Sequence, residues 1–223
     1  MSMSIPAPGA LATAFARDGV AILPPLISEH ECEHLAGLVA AEVPCAAGSR
    51  SLLDLEEVRG VAERLACHPS VAALLPEGAR AIQCSLFAKS AATNWYVTPH
   101  QDLSIAVPAR HDREGWSAWS VKEGIWFAQP PVPTLESVVA IRVQLDPESA
   151  VTGPLEVVPG SHRLGRLSHA EVLAAADRGL VPCHVERGGA VAMRPLIVHA
   201  SARALSDIPR RVLHFVYATG DLA

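Results

Sequence analysis

The run NWYVTPHQDLSIAV, residues 94–107, decides the fold class. It is rich in β-branched and aromatic residues and reads as extended chain. Five more runs share this character: IQCSLFA (82–88), SVVAIRVQLD (137–146), PLEVVPG (154–160), GAVAMRPLIVHAS (189–201) and RVLHFVYA (211–218). Gly, Pro and Asp separate them, so residues 81–223 are mainly strands. HAEVLAAADRG, residues 169–179, interrupts with a helix closed by Gly179.

Upstream the pattern changes. MSMSIPAPGA at 1–10 carries two prolines and little to bury, which predicts a frayed tail before a helix at 10–18 that Gly19 ends. VAILPPLI gives a short strand stopped by Pro24 and Pro25. Ser28 and Glu31 form an S-x-x-E capping box that starts a second helix, with Leu35, Leu38 and Val39 on its buried stripe. A third runs from Asp54 to Ala66, with Leu55, Val58, Ala62 and Leu65 at helical spacing, and a short one follows Pro69. Helices over residues 1–80, then seven or eight strands without βαβ alternation, argue against a doubly wound parallel sheet. They predict a mainly β jelly roll or sandwich with N-terminal α-helices packed on it. Residues 108–136, which hold Trp116, Trp119 and Trp126, are expected to form a long loop and to serve as a lid.

The 223 residues fit a single domain, and half of them are hydrophobic. A net charge of −5 without a run of Lys or Arg offers no basic surface to nucleic acid or anionic lipid. No apolar stretch approaches the ~18 residues of a membrane helix, and the N-terminus lacks the features of a leader. The expected partner is a small molecule; monomer and homodimer stay equally open. Cys32, Cys45, Cys67, Cys84 and Cys183 are scattered, which indicates neither a disulfide framework nor a zinc ribbon and suits a reducing cytoplasm.

His100 and Asp102 lie two apart, so in a strand both reach one ion while Gln101 points away. A His-x-Asp spacing alone is a weak pattern. His199 follows 97 residues later (199 minus 102), at the end of the apolar run AMRPLIV, where a late jelly-roll strand supplies a third ligand. Two imidazoles and a carboxylate suit one face of an octahedral Fe(II), leaving the other face open to substrates and O2. Arg210 stands 11 residues after His199 (210 minus 199) and is expected beside it across a hairpin. A guanidinium fork binds a carboxylate through two parallel bonds, as the far end of a dicarboxylate requires. Arg210 shares a strand face with His214, and Arg211 with Leu213, Phe215 and Tyr217; composition leaves open which arginine turns inward. The competing metal pattern is His30, Glu31 and His34, an H-E-x-x-H match that would make a zinc hydrolase. In the first turns of a helix among Glu29, Glu31 and Glu33, it reads instead as a solvated face. A jelly-roll binding module without catalysis is the remaining alternative.

FARDGVAILPPLIS, LFAKSAATNWYVTPHQD, GPLEVVPGSH and HASARALSDIPRRVLHFVYA together resemble the phytanoyl-CoA dioxygenase-like family of Fe(II) and 2-oxoglutarate-dependent oxygenases, over nearly the whole length. The resemblance implies a cupin-like double-stranded β-helix, with His100, Asp102 and His199 as iron ligands. It implies that Arg210, rather than Arg211, meets the distal carboxylate of 2-oxoglutarate, with Ser201 and Lys89 as further contacts. His162 in the PGSH turn would fix the turn rather than bind metal. Thr98 and Pro99 stand where many relatives carry an aromatic residue beside the histidine, a departure that concerns the pocket wall. Retention of Asp102 favours hydroxylation of a C–H bond over halogenation, with 2-oxoglutarate and O2 consumed and succinate and CO2 released. Lys122, Trp126 and Gln129 are the candidate substrate contacts.

Overall fold

Along residues 80–89 and 210–218 the alternate side chains face two different environments, and this period of two organises the molecule. The computed structural model describes residues 8–42, 49–89, 94–205 and 208–220; the expected tail at 1–7, Cys45 and the turn at Asp207 lie outside them. The first helices are α1 (Leu11–Asp18), α2 (Glu29–Glu42), α3 (Glu56–Cys67) and α4 (Pro69–Ala72), with strand β1 (Val20–Leu23) after α1. Next come β2 (Arg80–Lys89), β3 (Val97–His100), β4 (Ile105–Val107), β5 (Ser117–Lys122) and β6 (Ile125–Gln129). The chain continues through α5 (Val132–Glu136), β7 (Val139–Gln144), β8 (Leu155–Val157) and α6 (His169–Ala176). It ends with β9 (Val181–Cys183), β10 (Ala190–Met193), β11 (His199–Ser201) and β12 (Arg210–Ala218).

The strands form three antiparallel sheets, ordered β1-β10-β7-β12-β2, β3-β11-β8-β9 and β4-β6-β5. One face of the five-stranded sheet, with Cys84, Leu86, Ile141, Val143, Leu213, Phe215 and Tyr217, packs on Phe15, Leu35, Val58, Leu65 and their helical neighbours. Burial of that apolar layer is the main stabilising term. Val20, Ile22, Val191 and Met193 turn the other way, onto Leu155 and Val157 of the four-stranded sheet. This double-stranded β-helix with helices on one side is the expected architecture.

Local signals work as read at several ends. Gly19 closes α1 at φ 72°, and the Glu31 amide donates to Ser28 Oγ at 3.2 Å to start α2. The return half of that box is absent because Glu31 pairs with Arg64 instead. On α6 a complete capping box of Ser168 and Glu171, which the sequence reading did not use, starts the helix, and it ends at Ala176 with Asp177 as its cap, short of the expected Gly179. The third helix begins at Glu56, after a 3-10 turn at Leu52–Asp54, so Leu55 caps it rather than lying inside it.

The segment 108–136 departs most from expectation. Its residues 117–129 are a β-hairpin, β5 and β6, paired with β4 and followed by α5. Its turn is the two-residue Glu123-Gly124, with φ 52° and 78°. Those left-handed values suit the tight hairpin turn that matches strand twist, although glutamate is an uncommon first residue there. Strands inside this segment, and the separate β3 and β4, raise the count to twelve from the expected seven or eight.

Asp146 fixes which face of β12 turns inward. Its carboxylate accepts from the Arg211 backbone amide (2.7 Å), Nε (2.9 Å) and a terminal guanidinium nitrogen (2.6 Å). Arg211 is thereby held on the helix side, donating also to the Ala36 carbonyl, and Arg210 faces the interior. Removing the carboxylate leaves a half-buried guanidinium unpaired, so Asp146→Ala is expected to cost about 3 kcal/mol or more in denaturant unfolding. Asp146→Asn should cost less.

Candidate active site

His100 ends β3 and His199 begins β11, and the two residues are direct cross-strand partners. Their ring centroids are 4.2 Å apart. Asp102 lies just past the end of β3 rather than within a strand. Its amide donates to the Pro195 carbonyl at 2.9 Å, which turns the carboxylate toward both rings. Asp102 Oδ1 is 3.7 Å from His100 Nε2, and Oδ2 is 3.7 Å from His199 Nε2. One ligand atom from each residue lies within 4.8 Å of the others, and among the described residues this group alone gathers three such side chains.

The imidazoles share a second property. His100 Nδ1 is 2.8 Å from the Thr98 carbonyl and His199 Nδ1 is 3.0 Å from the Ile197 carbonyl. A carbonyl only accepts, so each Nδ1 carries the proton and each Nε2 keeps its lone pair for a metal. Burial lowers the His199 pKa to about 4, against the pull of Asp102, so the ring is neutral. Burial alone would raise the Asp102 carboxyl, but His199, His214, His100 and Arg142 outweigh it and hold the group below its usual value. Two imidazoles with Nε2 turned inward and a carboxylate fit a divalent first-row metal.

Backbone clips hold the triad in place. Gln101 points away, as expected, and its amide donates to the carbonyls of Gly165 (2.8 Å) and Leu196 (2.6 Å) while accepting from the Leu167 amide. Ser161 of the PGSH turn accepts from the Val198 amide at 2.8 Å, next to His199. His162 packs on Gly19, with Nε2 at 3.2 Å from the Ala16 carbonyl, and is no ligand. Gly153 opens the same motif at φ 71°, where a Cβ would stand 2.5 Å from the Ala202 carbonyl. That close approach lets Ser201 Oγ donate to the Gly153 carbonyl at 2.9 Å.

Arg210 stands on the opposite sheet from His199, not across a hairpin from it. It pairs in register with Lys89 on β2, while His199 belongs to the β3-β11-β8-β9 sheet. The two sheets bring them to the same small cavity of about 70 Å³, with Arg142, Ser201 and Trp95 in its wall. Arg210 is buried and its Nε has no hydrogen-bond partner among the described residues; a terminal nitrogen reaches Ser201 Oγ at 3.4 Å. A buried guanidinium with an idle donor is a receptor for an anion. Lys89 is already committed, donating to Ser201 Oγ (2.8 Å) and to the carbonyls of Ser201 and Ala202. Burial, with Arg210 and Arg142 nearby, lowers it to about 8. Its place is to tie β2 to β11 rather than to offer free donors.

A larger cavity of about 390 Å³ adjoins the other side of His100 and Asp102. Lys122 and Gln129 line it, on the hairpin face they share with Phe127. Trp126 does not, because it pairs with Val121 and Val107 on the opposite face and meets Trp119 at 6.4 Å. Sequence reading also passed over Arg142 and His214, joined at 2.9 Å in the buried floor between the two cavities. A lone arginine inside SVVAIRVQLD was the available signal, since a charge in a fully apolar strand needs a reason. The rival motif does not assemble: His30 is exposed, Glu31 pairs with Arg64 and His34 with Glu57.

A paired-histidine and carboxylate centre on a double-stranded β-helix, with a buried arginine nearby, defines the class of non-haem iron oxygenases. Residues 15–212 match the family model described as phytanoyl-CoA dioxygenase, and the chain belongs to this family of 2-oxoglutarate-dependent non-haem iron enzymes. No curated protein sequence matches significantly. Solved structures share the fold. EctD from S. alaskensis, in its apoform, is 21% identical with a TM-score of 0.69, over 98% of this chain and 80% of that one. The carbocyclase SnoK from nogalamycin biosynthesis gives 16% and 0.68, over 97% and 87%. AviO1 from Streptomyces viridochromogenes Tue57 gives 20% and 0.61, over 99% of both chains.

The buried histidines set a pH dependence for the metal-free protein. His199 and His214 titrate at about 4 and about 3, below the ordinary 6.5, so the unfolded chain binds protons first as pH falls. Stability present above pH 6.5 is therefore lost progressively toward pH 4. Thermal melting of the metal-free protein across that window should show the decline, and His214→Gln should make it shallower.

Proposed function

We propose that the protein hydroxylates an unactivated C–H bond of a small molecule, using Fe(II), 2-oxoglutarate and O2 and releasing succinate and CO2. The observation carrying this reading is a triad of two imidazoles and a carboxylate in one space with a buried guanidinium whose Nε is idle among the described residues. Fe(II) with 2-oxoglutarate would supply the oxidising power at this site, as cofactors do for reactions beyond the reach of side chains.

The chain's own residues do the rest. His100 and His199 offer Nε2 and Asp102 a carboxylate oxygen, each oriented before any metal arrives. Arg210 receives the far carboxylate of the cosubstrate, and Ser201 Oγ, whose own proton goes to Gly153, helps orient the guanidinium by accepting from it. Lys89, Arg142 and Arg210 make this end of the pocket cationic, which matches a dianion. The hairpin β5–β6 covers the larger cavity, where the substrate would lie shielded from water. Asp102 occupies the position a halide would need, which favours hydroxylation. Triad and idle guanidinium together also weigh against a binding module without redox chemistry. EctD from S. alaskensis, which shares the fold, has been crystallised with 2-oxoglutarate and 5-hydroxyectoine, a hydroxylated small molecule. Cys32, Cys67 and Cys84 are free thiols among the described residues, as suits a reducing cytoplasm. No helix of the described residues is long and apolar enough to cross a membrane.

Anaerobic addition of Fe(II) and 2-oxoglutarate should produce the visible charge-transfer band of their chelate. His199→Ala should abolish it. Arg210→Ala should weaken 2-oxoglutarate by about 30-fold or more, the scale of losing one partner of a buried charge pair. An unchanged 2-oxoglutarate titration in that variant would refute the assignment of Arg210.

A further inference from the structure

The larger cavity carries enough chemistry to name a substrate class, given the cofactor reading above. Its floor is the inner face of β2 and β12, where Ser85 and His214 are cross-strand partners. Both are more than nine-tenths buried and both line the cavity. A guanidinium only donates, so the bond from Arg142 makes His214 Nδ1 the acceptor and leaves the ring proton on Nε2. Ser85 Oγ accepts from Gln83 Nε2 at 2.7 Å and keeps its own proton to give. The floor therefore presents two fixed donors.

The roof presents a charge. Lys122 Nζ lies 5.3 Å from the Phe127 ring centroid and has no carboxylate partner among the described residues. Arg50, the other cation of this lining, is engaged by Glu123 at 3.3 Å. Asp102, already assigned to the metal, is the one carboxylate in the wall. Phe87 and Phe127 supply apolar surface from floor and roof. Donors, a single uncommitted positive charge and aromatic walls in about 390 Å³ select for size, polarity and sign together.

We propose that the cavity takes a small monoanionic carboxylic acid with an apolar body, its acid group at Lys122 and an acceptor oxygen at Ser85 and His214. A coenzyme A thioester carries several phosphate charges, and the lining holds no cluster of free cations to meet them. The test uses full-length protein loaded anaerobically with Fe(II) and 2-oxoglutarate. A panel of aliphatic and aromatic carboxylic acids is added, each beside its primary amide and its coenzyme A thioester. Binding is read from perturbation of the chelate band, and turnover from O2-dependent succinate release.

Acids should perturb the band and raise succinate release, with their amides bound about fivefold more weakly, the upper range for one exposed ion pair. Lys122→Gln should weaken the acids by the same factor and leave the amides where they were. The proposal is overturned if amides or thioesters bind as tightly as acids, if no acid in the panel binds, or if Lys122→Gln leaves acid binding intact. Wild-type protein that forms no chelate band overturns the cofactor reading, and this inference with it. A normal band with indifference to the acids overturns the substrate class alone.

Discussion

The register that sets His100 opposite His199 is the constraint on which the rest of the site depends. Side chains alternate along a strand, so a slip of one residue on either β3 or β11 would turn one imidazole away and dissolve the triad. The strands themselves are short, four residues and three, and cannot fix that register alone. It is fixed from outside by the GPLEVVPGSH stretch. β8 pairs Val157 with His199, Ser161 takes the Val198 amide, and Gly153 admits the chain at Ala202 so that Ser201 can bond its carbonyl. A motif without a metal ligand of its own thus determines where the third ligand stands.

The same alternation divides labour across the five-stranded sheet. On β2, β7 and β12 the residues facing the helices are apolar apart from Arg211, which Asp146 neutralises, while those facing the interior include Lys89, Arg142, Arg210 and His214. Buried cations without anions destabilise a fold, and here they outnumber the single carboxylate of Asp102 beside them. Glu148, pushed up to about 7 by burial and held back by Arg210, gives limited relief. The apolar layer on the other face offsets this cost, so stability and function occupy opposite sides of one set of strands. An anion bound at Arg210 removes part of the conflict, and ligand binding then contributes to the stability of the fold.

Much of this was legible in the sequence. Turn and cap residues such as Gly19 and Ser28 act locally, so their reading needs no tertiary knowledge. Strand character over residues 81–223 followed from composition, and the triad from spacing with the family resemblance. What could not be read depended on distant contacts. Period two placed Arg210 and Arg211 on opposite faces, but only Asp146, on another part of the chain, decides which face is inside. Arg210 meets His199 between sheets rather than across a hairpin, because the connection between them changes sheet. The hairpin at 117–129 was hidden by an unusual turn residue: Glu123 at positive φ lacks the Asn-Gly or Asp-Gly signature.

That turn has a compensating bond, which explains how it persists. The Glu123 carboxylate accepts from Ser49 Oγ and the Arg50 amide, both at 2.7 Å, and from the Arg50 side chain. These bonds, two of them to neutral donors, offset a backbone cost on the order of 1 kcal/mol. They also attach the hairpin tip to residues 49–51, which are themselves joined to β2 through Ser51 and Leu86. Roof and floor of the larger cavity are therefore connected at one end by a single carboxylate. Because the proposed metal ligands belong to β3, β11 and the segment after β3, the roof can vary in sequence without disturbing them. The residues proposed to choose the substrate and those proposed to hold the metal are in this way mechanically separate, an arrangement by which one β-helix scaffold can serve many substrates.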